Sequence, residues 1–523
     1  NSCLIDQDDQ PPKPVNQEAL QIVLQVAKAL NAQVLPEVHV MRKTVVDGSA
    51  PSAFQRTALV AVNGELKTSR GIVGIQSICL EEESAGIVER KEDSVVYRLD
   101  RLGIPLIEIA TDASLADPAH VKETALLIGQ LLRATGNVQR GIGSIRQDLN
   151  VSVAGANRTE IKGSQELDLV PKLVENEARR QLGLLRVKKD LEKRKAKQSK
   201  PQIIDLTGVL KNTSCSIAKK AVSSGGVVLG VRLQKFEGLL GFELYADYRV
   251  GTELSGVLKA VSGLGGLFHS DEKLTDYGFS ENELNQVEKE LGVEKLDAYV
   301  LVAGGKQQCE TGLSAVYSRA MILFNEVPGE TRRAQDEKSF FMRPIPGKAR
   351  MYPETDLPPI EVSEKSAAGA ELVESMSDKI RKYEKMGLNN QLSQRLVSSR
   401  DFELFEWLVS NTKCEPQFIA TTLLETIVQL KRDGFAAEKL SQLVLKEALD
   451  LLAQGKIVKP AVLELLKAAA QGRLIKDALR EEKLEKISGK QLVDLVKSEK
   501  DFQKIMREHR LKVDSSELRK LIE

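Results

Sequence analysis

The chain has 523 residues, 42% of them hydrophobic and 28% charged, with a formal net charge of +1, the make-up of a globular protein of about three or four domains. So balanced a charge gives no global field for a polyanion, and a nucleic-acid partner would need a local basic face. No apolar run approaches a membrane span and no secretory signal is visible. Cys3, Cys79, Cys215, Cys309 and Cys414 are odd in number and never spaced Cys-x-x-Cys. That speaks against a disulfide framework or structural zinc and for a reducing cytoplasm.

The chain opens at Asn1 with a polar, Pro-rich stretch and reads as a piece of a longer protein whose first strands precede it. A helix is expected from Glu18 to Leu30. Strands follow at Val34 to Arg42, Thr57 to Leu66, Ile72 to Leu80, Leu106 to Ala110 and Asn150 to Ala154, each an alternating or continuous apolar run. Asp117 as N-cap and Pro118 in the first turn predict a helix to Thr135, and another covers Asp168 to Leu182. A basic, mostly helical run occupies 188–200. From Ser223 to Phe324 the chain turns rich in Gly, Val and Leu and reads as a compact α+β module set into the first domain. After Ser363 strand signals vanish, and helices are expected near 370–386, 389–397, 400–411, 415–433, 437–453, 458–469 and 490–508. Residues 454–523 hold 17 Lys/Arg against 12 Asp/Glu, a modestly basic end that suits phosphates or a plain solvated surface equally.

Charged residues gather at the strands. The ribbon Arg350-Met-Tyr-Pro-Glu-Thr-Asp-Leu-Pro-Pro stiffens an Arg, a Tyr and two carboxylates with prolines into an extended segment. Leu80-Glu81-Glu82-Glu83 closes an apolar strand, Glu108 interrupts another, Arg146, Asp148 and Asn150 alternate along a third, and Glu160-Ile-Lys162 repeats the pattern. A lone buried carboxylate costs several kcal/mol unless paired or bound to a cation, so these acids are expected to converge with Arg, Lys or a metal in one polar cleft. All-oxygen ligands favour a hard cation such as Mg²⁺, which travels with nucleotide phosphates. No Walker loop, dinucleotide Gly-x-Gly-x-x-Gly or His-Glu-x-x-His helix is present. Of the four histidines only His39, beside Arg42 and Lys43, is a candidate for the cleft.

Ser77-Ile-Cys-Leu-Glu-Glu-Glu, Tyr97-Arg-Leu-Asp-Arg-Leu-Gly-Ile-Pro-Leu-Ile-Glu-Ile-Ala-Thr, Gly143-Ser-Ile-Arg-Gln-Asp-Leu-Asn-Val-Ser-Val, Glu160-Ile-Lys and Tyr352-Pro-Glu-Thr-Asp-Leu-Pro-Pro together resemble the B/E subunit family of tRNA-dependent amidotransferases. His39-Val-Met-Arg-Lys-Thr-Val, Phe54-Gln-Arg-Thr-Ala-Leu-Val-Ala and the insertion are similar to its archaeal E branch. The resemblance implies an α+β fold. A catalytic cradle of mixed sheet and helices would cover 1–215 and be completed by 341–370. An inserted domain like that of bacterial aspartyl-tRNA synthetases would occupy 216–340, an all-α helical domain 371–436 and a helical tail 437–523.

It implies conversion of glutamyl-tRNA(Gln) to glutaminyl-tRNA(Gln) in the cytoplasm. ATP and Mg²⁺ would activate the γ-carboxylate, and an asparaginase-like D subunit would supply ammonia within a dimer of heterodimers. On this resemblance Glu82, Glu108, Asp148, Glu160 and Lys162 are the catalytic candidates, with Glu82, Glu108 and Glu160 as metal carboxylates. Arg42, Lys43, Arg146, Tyr352 and Glu354 are the phosphate or substrate candidates. Glu83-Ser84 stands where the family more often has Asp-Ala, and the family's N-terminal metal-site His has no counterpart in these motifs. A non-catalytic tRNA-binding scaffold on the same fold is the alternative.

Overall fold

The computed structural model describes residues 9–10, 12–45, 48–50, 52–91, 94–139, 143–345, 350–363, 376–397, 399 and 401–522. Cys3 and the start of the helix expected at 370–386 lie outside them. The chain divides into two compact units, the first holding Asn1–Gly129 and Gly141–Ala370, the second Gln130–Arg140 and Glu371–Glu523.

The first unit begins with α1 (Gln17–Ala29), β1 (Val40–Thr44), β2 (Phe54–Thr68), β3 (Gly71–Glu82), β4 (Pro105–Thr111) and α2 (Pro118–Ala134), whose last turn is counted with the second unit. Next come β5 (Gln147–Val151), β6 (Thr159–Ser164), α3 (Val170–Lys193), β7 (Val227–Leu233) and α4 (Val250–Ser262). The run ends with β8 (Ala298–Gly304), α5 (Lys306–Ile322), β9 (Glu330–Gln335), β10 (Lys338–Pro344) and β11 (Met351–Pro353). The Asn16 side chain caps α1 by accepting from the Ala19 N–H, and Leu20, Val23, Leu24 and Ala27 form its buried stripe at helical spacing.

Among the described residues this unit holds three larger sheets and three two-stranded ones. The first is six-stranded, in the order β11-β1-β2-β3-β4, with Gln33–Val34 added beside β2. The Pro-rich ribbon is therefore an edge strand, where a proline's missing N–H leaves no gap in the ladder. The second sheet runs β10-β9-β6-β5, with β6 and β9 parallel. The third belongs to the inserted module and runs Ile203–Asp205, β7, β8, Phe268–His269.

Pairing crosses the boundaries expected at 215/216 and 340/341. Ile203–Asp205 pairs with β7. β9 and β10 pair into the second sheet beside β6. Helix α3 also runs past the expected Leu182 to Lys193, because Leu184, Val187 and Leu191 are buried in the module's core.

Where cradle and module join, six charges are sealed from water. Glu177 and Arg180 come from α3, Glu253 from α4, Arg319 from α5, and Glu330 and Arg332 from β9. Arg180 donates to Glu177 at 2.8 Å and to Glu253 at 2.9 Å, while Arg332 reaches Glu253 at 3.1 Å. Arg319 reaches Glu330 at 2.8 Å, and the Tyr248 hydroxyl donates to Glu253 at 2.8 Å. Three guanidiniums face three carboxylates. Burial would raise the Glu253 carboxyl, but Arg332, Arg180 and Arg319 hold it well below the usual carboxylate range.

The second unit is helical from Met376–Lys385 to Ser515–Ile522. One core extends from Tyr383 to Leu484 across the boundary expected at 436/437, and Leu492, Ile505, Val513 and Leu518 form a separate small one. The helix expected over 490–508 is two, Lys490–Ser498 and Phe502–His509, because the Asp501 side chain caps the second by accepting from the N–H groups of Gln503 and Lys504. Ile475–Glu481 and Ser515–Ile522 are additional helices.

Candidate active site

Register across the first sheet sorts its charges. Directly paired residues share a face and neighbours along a strand do not. Arg42 pairs with Arg56, Thr57 with Glu81, and Cys79 with Glu108. Lys43, Glu81, Glu83, Cys79 and Glu108 therefore belong to one face, and Arg42, Arg56 and Glu82 to the other.

Contacts agree with this parity. On the first face the Lys43 ammonium lies 2.7 Å from Glu81 and 3.7 Å from Glu108. Glu81 and Glu108 also hydrogen-bond to each other. Burial, then the Glu108 carboxyl, pushes Glu81 up to about 7, and the bond from Glu81 holds Glu108 below its ordinary value. The two differ in access: the Glu81 side chain is 7% exposed and that of Glu108 55%. The Cys79 thiol beside them is pushed up to about 11, chiefly by burial, and is inert at neutral pH.

The second sheet brings the other half. Lys162 on β6 donates to Asp148 at 2.5 Å and lies 2.9 Å from Glu160, while the Thr331 hydroxyl donates to Glu160 at 3.1 Å. Burial would lower Lys162, but its two carboxylates raise it above its ordinary value. Burial would likewise raise Glu160, but the bond from Lys162 and then Thr331 keep it low. The Lys162 charge acts on Glu108 as well, so the two halves share one electrostatic field. Glu83 accepts from Arg101 at 2.9 Å and from Arg146, which leads into β5.

On the opposite face Arg42 forms a forked pair with Glu354 at 2.5 and 2.8 Å and stacks over the Phe54 ring at 4.4 Å. Arg56 clasps Glu82. Tyr352 is exposed and paired opposite Arg42 across the ladder. The apolar residues on this face, Ala58, Ile78 and Leu80, are buried. Glu82 is thus parted by the sheet from Glu108, a correction to the expected trio of Glu82, Glu108 and Glu160. Among the described residues no three His, Cys, Asp or Glu side chains form a metal cage. His39 pairs with Glu37 at 2.7 Å, both exposed.

Mg²⁺ nevertheless fits the first face. Glu81 and Glu108 lie beside Lys43, and Asp148 and Glu160 beside Lys162, so four carboxylates meet two ammonium groups. Mg²⁺ commonly takes one or two carboxylates and fills the rest of its shell with phosphate oxygens and water.

Sequence reasoning missed Glu81, Arg56, Arg101 and Thr331. Parity relative to Glu108 and Lys43 would have chosen Glu81 over Glu82, once the pairing of β2 with β3 was known.

A mixed α/β scaffold that holds a carboxylate pair on Lys43 beside a second lysine–carboxylate group at Lys162 suits an enzyme that handles charged substrates. Residues 7–368 match the GatB/GatE catalytic domain, and the chain belongs to that family. Among its relatives, the E subunit of the glutamyl-tRNA(Gln) amidotransferase of Saccharolobus solfataricus is 42% identical over 458 residues, covering 86% of this chain and 72% of the relative. The protein of the same name from Sulfurisphaera tokodaii is 41% identical over 458 residues, covering 86% of this chain and 73% of its own. That of Sulfolobus acidocaldarius is 42% identical over 460 residues, with 86% and 72% covered.

Proposed function

We propose that the face carrying Lys43, Glu81, Glu108, Asp148, Glu160 and Lys162 is the reaction centre of a tRNA-dependent amidotransferase that converts glutamyl-tRNA(Gln) to glutaminyl-tRNA(Gln). The observation that carries this reading is the Glu81–Glu108 pair held by Lys43, with the Lys162 charge acting on Glu108, within the family's catalytic domain.

The glutamyl γ-carboxylate attacks the terminal phosphorus of ATP and ADP leaves. Ammonia then adds to the acyl phosphate, phosphate departs, and the nitrogen sheds its surplus proton. Lys43 and Lys162 neutralise the transferring phosphoryl group and its acyl phosphate. Glu81, titrating near neutrality, accepts the proton from the incoming nitrogen. Asp148 and Glu160 hold Lys162 in place, and Arg146 adds a further phosphate partner. Glu108, the exposed carboxylate of the pair, would hold Mg²⁺, which when bound supplies charge neutralisation to the phosphates. The Arg42–Glu354, Tyr352 and Arg56–Glu82 group on the opposite face fixes the strands that present Lys43 and Glu81.

Family membership supports the remaining parts. An asparaginase-like partner supplies ammonia, in a dimer of heterodimers, and the basic helical end grips the tRNA body. Charged tRNA and ATP put the reaction in the cytoplasm. Among the described residues no helix is long and apolar enough to cross a membrane.

The test is a transamidation assay with the ammonia-supplying partner, ATP, Mg²⁺ and glutamyl-tRNA(Gln). Glu108→Gln should lower the rate by about a hundredfold or more while tRNA affinity stays within about twofold. Unchanged turnover would remove this face from the chemistry. tRNA binding by the wild type without turnover would favour the scaffold.

A further inference from the structure

Glu83 is fixed from several sides. Its N–H donates to the Ile104 carbonyl and its own carbonyl accepts from Gly103, so the turn at 99–104 is zipped to the end of β3. Gly103, at φ +79°, permits that turn. The Glu83 carboxylate, 11% exposed, accepts from Arg101 and Arg146, whose side chains are 40% and 44% exposed. A sheltered acid thus holds two outward guanidiniums, one from each side of the reaction face: Arg101 beside the first sheet, Arg146 entering the second. Two cations on one anion leave a net positive charge, next to a face with negative charge to spare.

A nucleoside triphosphate meets a problem at such a face, since the acids that suit a metal repel its phosphates. We propose that Arg101 and Arg146, spread and oriented by Glu83, form a jaw that binds the diphosphate part of the nucleotide, the group that leaves as ADP. This rests on the reading of the face as an ATP-dependent reaction centre. Arg101 and Glu83 are new to the site. Arg101 touches the nucleotide, and Glu83 is a positioning residue that acts through both arginines. The forked geometry of guanidinium suits phosphate oxygens, and each charge-assisted bond adds directed affinity. Because the jaw engages the diphosphate and not the glutamyl group, it governs nucleotide affinity and product release and leaves tRNA affinity alone.

The experiment compares wild type, Arg101→Gln, Arg101→Lys and Glu83→Gln with the ammonia-supplying partner present. It reads KM for ATP, KM for charged tRNA, kcat, and direct binding of Mg²⁺–ADP by calorimetry without tRNA. Arg101→Gln should weaken ADP and raise KM for ATP by about tenfold, with KM for tRNA and the thermal midpoint unchanged. Arg101→Lys should recover part of the loss. Glu83→Gln leaves the two guanidiniums without the acid that spreads and orients them and should weaken ADP severalfold, with KM for charged tRNA unchanged. Unchanged ADP affinity in Arg101→Gln, unchanged or tighter ADP in Glu83→Gln, or no ADP binding by the wild type would overturn the jaw. Turnover of glutamyl-tRNA(Gln) by the wild type is a separate arm: its failure strikes the proposed reaction and leaves the ADP comparison to decide the jaw.

Discussion

Two charge networks in the first unit are made of the same residue types and differ in closure. At the joint between cradle and module, Glu177, Glu253 and Glu330 meet Arg180, Arg319 and Arg332 one for one, in a place water does not reach. On the reaction face, Lys43 and Lys162 are outnumbered by carboxylates, and Glu108 stands open to solvent. The joint uses guanidiniums, whose several donors can satisfy two or three carboxylates at once. The face uses ammonium groups, which act as compact charges and leave oxygen atoms available. A complete network holds position, whereas an incomplete one has room for a ligand.

The sharpest way to break the contrast is to unbalance the joint. Glu253→Gln leaves three guanidiniums with two carboxylates and no water, and should cost about 3–5 kcal/mol, measured as loss of the first unit's thermal transition. A comparable charge change on the face, such as Glu108→Gln, should leave that transition nearly in place.

The next effect separates the networks by pH. Glu81 is raised to about 7, so the stability gained by burying it as the neutral acid is full below the ordinary glutamate value and is lost as pH rises to about 7. Catalysis runs the other way, since the ionised form accepts the proton, and kcat/KM should climb through about pH 7. Glu81→Gln should flatten that limb and lie about a hundredfold below wild type at pH 8. A limb that survives the substitution would assign it to another group. The buried joint, with Glu253 held far below its usual range, should add nothing to the profile near neutrality.

The smallest effect concerns the supporting face. Glu354→Gln gives up the charged fork to Arg42 and should cost about 1–3 kcal/mol, read by denaturant unfolding, with modest loss of activity. A loss as deep as that of Glu108→Gln would move Glu354 into the chemistry.

Much of this arrangement was legible in the chain. Acids placed on apolar strands led to the expectation of a polar cleft; in the structure Lys43 and Lys162 act on Glu108, and Asp148 and Glu160 act on Lys162. The run Glu81-Glu82-Glu83 was not resolvable. Successive residues of a strand point to opposite faces, and which face carries the chemistry depends on pairing with strands elsewhere in the chain. Pairing across the module's expected edges was hidden for a related reason. Ile203–Asp205 is too short to signal a strand, and β9 and β10 continue the module's sequence while pairing with β6. The buried joint left no trace at all, since its six charges come from four separated elements and each one alone looks like a surface residue.

The pairing of Arg42 with Glu354 spans 312 positions of chain. A nascent polypeptide emerging from its N-terminus has the cradle's early strands long before β9, β10 and β11 exist to complete them. The module in between can close its own local core first and so bring the distant ends together, shortening the loop that the late strands must cross. The first sheet's edge therefore closes late, because Met351–Pro353 can pair with Met41–Lys43 only after all the chain between them has been made.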